Sequence, residues 1–223
     1  MANLILKNIN KSFKSGSRQV DVIKNASLEI KKGKSVALVG PSGAGKTTLL
    51  QIAGLLDSAD NGQILINGID ASKANDVTRT NLRKNHIGFI YQSHNLLPEF
   101  SALENVAMPL LIRGKSKTEA FALATEILTK VGLENRLNHL PSELSGGQQQ
   151  RVSVARAIIP KPSVILADEP TGNLDSENAQ IVFKLILDLV KEYQISALIV
   201  THNLELAKKL DDMVKIKDGK INS

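Results

Sequence analysis

Apolar positions along this chain change period several times. Val36–Val39, Val164–Ala167 and Ala197–Val200 are unbroken apolar runs of four residues, the pattern of strands covered on both faces. Leu4–Leu6 and Ala26–Ile30 read as shorter β segments separated by polar, glycine- and lysine-bearing turns, so residues 1–39 are expected to be β. Gly62–Asp70 reads as a further strand with turns at both ends. Val214–Ile221 alternates apolar and polar around Asp218-Gly219, a hairpin signal. The period lengthens elsewhere. Thr47–Leu56 looks helical, Lys117–Val131 carries Ala120, Phe121, Ala124, Ile127, Leu128 and Val131 at helical spacing, and Glu177–Lys191 is amphipathic through Ile181, Val182, Leu185, Ile186, Leu189 and Val190. About 90–155 is expected to be a mainly helical insertion with a small core of its own. Strands alternating with helices argue for an α/β fold with a parallel core sheet.

The strand Ser35–Val39 ends at GPSGAGKT, residues Gly40, Pro41, Ser42, Gly43, Ala44, Gly45, Lys46 and Thr47, followed by Thr48. This fits the phosphate-loop pattern in full, and it stands between a strand and a helix as that pattern requires. Glycines let backbone N–H groups approach phosphates, and the helix that follows turns its positive end toward them. Lys46 is expected to reach the β- and γ-phosphates of ATP, and the Thr47 hydroxyl to hold Mg²⁺. A second half-motif is Val164–Glu169, an apolar strand ending in two acids. Asp168 is the candidate partner for Mg²⁺, and Glu169 the candidate base for the attacking water.

Composition narrows the classes. The 223 residues carry 42% hydrophobic and 22% charged side chains, ordinary for a chain with a real core. Aromatics are 3% with no Trp, which argues against a stacking surface for single-stranded nucleic acid. There is no Cys, so disulfides and thiolate metal sites are excluded, and His86, His94 and His139 have no neighbouring acidic cluster to make them ligands. The net charge of +6 is spread along the chain, and the C-terminal lysines from Lys208 to Lys220 alternate with Asp211, Asp212 and Asp218 as a solvated surface would. No run reaches the ~18–20 apolar residues of a membrane span, and MANLILKNINKSF lacks a signal pattern. The expectation is a chain that meets a membrane only through partners.

Leu144-Ser145-Gly146-Gly147-Gln148 then opens another helix, Gln149–Ile159, with an N-cap serine and two glycines. With LSGGQ, the sequence resembles the ABC-type ATPases along essentially its whole length. That resemblance implies a phosphate-loop NTPase of ABC type, one domain over 1–223. Its parallel core sheet is joined by an N-terminal antiparallel β part and a helical subdomain, with the core lobe over about 1–89 and 156–223 and the helical part over about 90–155. It implies a homodimer in which Ser145, Gly146, Gly147 and Gln148 of one copy close over ATP held by the other, with Asp175 of Gly172–Asp175 at the seam. Gln92 matches the glutamine that senses Mg²⁺ and water, and His202 the histidine that contacts the γ-phosphate. Phe13 falls where the family puts an aromatic against adenine, a half-buried core position being the other reading.

Gly88–Gly114 resembles the lipoprotein-releasing branch of this family in Gram-negative bacteria. The resemblance implies a translocase subunit at the cytoplasmic face of the inner membrane, bound to two membrane subunits. Leu96, Leu97 and Phe100 are candidates for that contact or for ordinary core. The motif DEPTGNLDSEN also fits branches that regulate cell-wall enzymes or export through a fused membrane domain.

Overall fold

The computed structural model describes residues 2–16 and 18–222. Its strands form two sheets. β1 (Ala2–Ser15) and β2 (Arg18–Lys31) are long antiparallel partners, and they join β4 (Asn61–Ile66) and β5 (Ile69–Asp70) in the order β2-β1-β4-β5. The short β segments expected near the N-terminus are thus parts of two 14-residue strands. Register shifts at Leu6/Ile9 and Ile9/Lys11 break the alternation that sequence reading relies on. The second sheet holds β3 (Ser35–Val39), β6 (Ile87–Tyr91), β7 (Val164–Asp168), β8 (Ser196–Val200), β9 (Asp212–Lys217) and β10 (Lys220–Asn222). Its order is β10-β9-β3-β8-β7-β6, parallel throughout except for the β9–β10 hairpin.

Period 2 explains why the central strands read as unbroken apolar runs. Val36, Leu38, Val164, Leu166, Leu198 and Val200 face the antiparallel sheet and α1 (Lys46–Ala53), in one buried cluster with Leu4, Leu6, Leu49 and Ile52. Ile165, Ala167, Ala197 and Ile199 face the other way. There they meet α3 (Ala102–Ile112), α4 (Lys117–Lys130), α5 (Gly146–Ile158) and α6 (Ser176–Glu192), which contribute Val106, Leu128, Val154 and Phe183. Each strand therefore buries both faces.

The helical segment does not enclose a separate core. Its buried residues belong to the same cluster as one face of the six-stranded sheet, and α5 runs through position 155 to Ile158. The sequence also gave no sign of α2 (Asp76–His86), because Leu82 is its one buried side chain. What holds its start is an Asn75 cap, whose side chain accepts from the Thr78 N–H at 2.9 Å. The short α7 (Leu204–Ala207) connects β8 to the edge hairpin.

Candidate functional site

Register places the site. Leu38 pairs with Val200, Val200 with Asp168, and Asp168 with Tyr91, so the carboxyl ends of β3, β8, β7 and β6 lie level. The residues that follow leave the same sheet edge: Gly40 of the glycine-rich loop, His202, Glu169 and Gln92. Ligands of open α/β sheets bind at this edge.

The loop Gly40–Thr47 curls over the start of α1. Gly45 is the cap residue at φ +99°, and a Cβ there would lie 2.7 Å from Ile23 Cδ1 and 3.0 Å from the Val22 carbonyl oxygen. Only glycine allows both that backbone and that approach. No side chain caps α1, and its first turn holds no acid, so its leading N–H groups are free for an anion. Lys46 Nζ donates to the Gly40 and Pro41 carbonyls at 2.9 Å each, which keeps the ammonium at the loop. The cleft above is ≈ 380 Å³ and is lined by Ser42, Gly43, Gly45, Lys46, Thr47 and Thr48, with Asp168, Glu169, Val22 and Val200 opposite.

Asp168 is held above the usual carboxylate range. Burial is the main cause and the neighbouring Glu169 charge adds to it, while the Thr47 hydroxyl and the Lys46 ammonium pull the other way. Two carboxylates and a hydroxyl beside a phosphate cradle form an environment that a divalent cation would relieve. Among the described residues no group of three or more His, Cys, Asp or Glu side chains could hold a metal ion.

Glu169 leaves β7 with φ +47°, a left-handed backbone rare for a residue with a side chain. Its N–H donates to the Val200 carbonyl at 3.0 Å. Its carboxylate lies 2.9 Å from His202 Nδ1, so that nitrogen carries the proton and Nε2 faces outward. Strain of this kind, about 1–3 kcal/mol, tends to sit at functional positions.

Other candidates lie away from the cleft. Gln92 is exposed and tied to Asn173: its Nε2 donates to Asn173 Oδ1 at 2.8 Å, and Asn173 Nδ2 donates back to the Gln92 carbonyl at 3.2 Å. Phe13 is 43% exposed on β1, with Lys11 Nζ 4.9 Å from its ring centre, so it is neither a core residue nor part of the cleft lining.

Ser145 caps α5 in a complete capping box. Its Oγ accepts from the Gln148 N–H at 3.3 Å, and Gln148 Oε1 accepts from the Ser145 N–H at 2.9 Å. That leaves the Gly146 and Gly147 N–H groups without intrahelical acceptors. Asp175 caps α6 next door through the Asn178 N–H at 2.9 Å, and this bond and the Asn178 side chain hold its carboxyl below the usual range. A Cβ at Gly147 would lie 2.8 Å from Asn178 Oδ1, so the two helix starts are packed against each other. Neither lines the cleft.

Val22 and Gln150 had no role in the sequence reading, His94 was considered there only as a metal ligand, and Asn173 and Asn178 stood in the DEPTGNLDSEN motif without a role of their own. Val22, Asn173, His94 and Gln150 act through partners remote in sequence.

The loop, the strained carboxylate and the level strand ends together define a nucleotide site of the phosphate-loop class. The chain belongs to the ABC transporter family, which it matches over residues 23–172. It is 50% identical over 216 residues to the lipoprotein-releasing system ATP-binding protein LolD of Nitrobacter winogradskyi, covering 97% of this chain and 93% of that one. To LolD 1 of Rhodospirillum rubrum it is 48% identical over 220 residues, covering 99% and 97%. A solved ATP-binding cassette, in a dimeric post-hydrolysis state bound to ADP and Pi, superposes with a TM-score of 0.90 at 39% identity, covering 99% of this chain and 97% of that one.

Proposed function

We propose that two copies of this chain close around two molecules of ATP with Mg²⁺, hydrolyse them, and thereby drive a translocase that releases lipoproteins from the inner membrane. The observation that carries this reading is a division of labour within one chain. The phosphate loop, Asp168, Glu169 and His202 converge on one cleft. The free N–H groups of Gly146 and Gly147 open elsewhere, beside Asp175. A helix end built for an anion, away from its own chain's phosphate site, fits a site completed by a second copy. The dimeric form of the related cassette supports the same arrangement.

The chemistry follows from these residues. Lys46 turns from the Gly40 and Pro41 carbonyls to the β- and γ-phosphate oxygens. Thr47 and Asp168, joined by Gln92, would hold Mg²⁺, which would supply charge neutralisation on the phosphates. Glu169 takes the proton of the attacking water, and His202, whose Nδ1 lies beside that carboxylate, contacts the γ-phosphate and offsets the charge that develops there. Gln92 reaches the site only after leaving Asn173. The partner's Ser145–Gln148 segment brings donors to the charge that develops on the γ-phosphate.

Two membrane subunits of the LolC/LolE kind are the partners under this reading; the relatives' names, which describe the ATP-binding protein of a lipoprotein-releasing system, support membership of such a complex. Leu97 and Phe100 are exposed, as is Ile112 at 62%. Ile112 also lines a cleft of ≈ 360 Å³ in which Phe89, Tyr91, Pro109 and Pro160 stand together with Arg83, Lys84 and Arg156, a mixed apolar and basic lining that suits an amphipathic, acidic-faced segment of a partner. No described helix is long and apolar enough to cross a membrane. A peripheral position at the cytoplasmic face of the inner membrane belongs to this proposal. The division into a core lobe of about 1–89 and 156–223 and a helical part of about 90–155 belongs to the same proposal.

Glu169→Gln tests the enzyme. With MgATP it is expected to run as a stable dimer in gel filtration and to lose hydrolysis. A variant that turns over at the wild-type rate removes Glu169 from its role. Purification from the native membrane tests the transport assignment: two related membrane subunits and ATPase activity raised by lipoprotein are expected, and a single membrane partner overturns it.

A further inference from the structure

Gln150 is fully buried on α5, about one turn beyond the Gly146-Gly147 pair. A carboxamide so placed must find partners, since leaving one of its groups unpaired costs about 1–3 kcal/mol. It finds three. Nε2 donates to the Tyr91 carbonyl at 3.2 Å and to the Pro170 carbonyl at 2.6 Å, and Oε1 accepts from His94 Nδ1. Two carbonyl acceptors fix which end of the amide is nitrogen. Tyr91 directly precedes Gln92, and Pro170 directly follows Glu169. One side chain of the signature helix thus holds the backbone beside both Gln92 and the strained Glu169. Farther along the same helix, Arg156 donates to the His94 and Asn95 carbonyls at 2.9 and 2.8 Å and grips the segment beyond Gln92 a second time.

We propose that Gln150 is a positioning residue that couples the two ATP sites of the dimer. A shift of α5 against the ends of β6 and β7 breaks the bonds of a fully buried carboxamide, so the positions of the three are linked energetically. The inference rests on the sandwich reading, in which the Gly146-Gly147 N–H groups of one chain serve ATP bound by the other. The path then runs from ATP in a chain's own cleft, through Gln92 and Glu169, to Gln150 and so to the signature touching the other ATP. Such a link appears as a coupling free energy between sites, read as positive cooperativity.

The test is the dependence of hydrolysis on MgATP concentration for the full chain below its melting temperature. Gln150→Met keeps the side-chain volume and removes all three bonds. It is expected to leave ATP binding to the isolated chain unchanged, to lower kcat about tenfold or more, and to bring the Hill coefficient toward 1. Leu128→Ala, in the same buried cluster, should lower the melting temperature without moving the Hill coefficient. His94→Ala removes one bond from a partly exposed side chain and should shift the Hill coefficient in the same direction as Gln150→Met, which decides the matter if the latter does not fold. A Gln150→Met variant, or in its place His94→Ala, with wild-type cooperativity overturns the proposal. A wild-type chain that stays monomeric with MgATP overturns the sandwich reading and this inference with it.

Discussion

Gln148→Glu separates what the signature does for the fold from what it does for the nucleotide. The Gln148 side chain acts in the capping box only through Oε1, which accepts from the Ser145 N–H at 2.9 Å. A glutamate keeps that acceptor. It also puts a negative charge into a first turn that holds no acid, where the helix dipole favours one by about 0.3–1 kcal/mol. For a chain of this size 1 kcal/mol is worth about 2–4 °C, so Gln148→Glu should melt at the wild-type temperature or up to about 4 °C above it. Ser145→Ala is the counterpart. It strands the Gln148 N–H and should cost ~1 kcal/mol, or about 2–4 °C. With MgATP the order reverses for Gln148→Glu if two copies close as proposed, because the new carboxylate then meets the phosphates held by the other copy. ATP-dependent dimerisation should weaken by about tenfold or more, since 1.4 kcal/mol of repulsion already gives that factor. Calorimetric melting without nucleotide and sedimentation with MgATP read the two effects separately. If Gln148→Glu melts as low as Ser145→Ala without nucleotide, the capping argument is wrong.

Gly45→Ala should lower the melting temperature by at least about 2–4 °C, since a left-handed backbone costs a side chain about 1–2 kcal/mol, and its Cβ would press on Ile23 and the Val22 carbonyl; ATP binding by calorimetry should be lost as the loop moves. Asp211 gives a pH prediction. Burial alone would raise its carboxyl, but the Lys34 ammonium and the Ser35 N–H and hydroxyl outweigh it and hold it at about 2. A depressed folded value means stability that is present above the ordinary carboxylate range and is lost as pH falls from about 4 through about 2. Asp211→Asn should flatten acid unfolding in that window, followed by circular dichroism; an unchanged acid transition would count against the assignment.

Some of this was legible in the sequence for a local reason. Gly40–Thr47 and Ser145–Gln148 work through backbone conformation and a cap that closes within three or four residues, so residue types at fixed spacing suffice. The apolar runs at Val164–Ala167 and Ala197–Val200 announced strands covered on both faces. The long strands β1 and β2 were only partly legible, because register shifts interrupt their alternation. The helix α2 was not, because it buries one residue and is held by its cap.

The sequence by itself determined the phosphate loop, the acids that end a strand, and the capped, glycine-bearing start of α5, because these depend on neighbours in the chain. Tertiary structure decided the rest. The order β3-β8-β7-β6 with level ends brings Gly40, His202, Glu169 and Gln92 to one edge, and no local pattern encodes which strands lie side by side. It also decided that the helical segment shares the sheet's core. Gln92 rests on Asn173, and Gln150 holds the ends of β6 and β7 from 59 and 20 residues away. Buried polar groups must be paired wherever the fold happens to put them, and that requirement appears only once the chain has closed on itself.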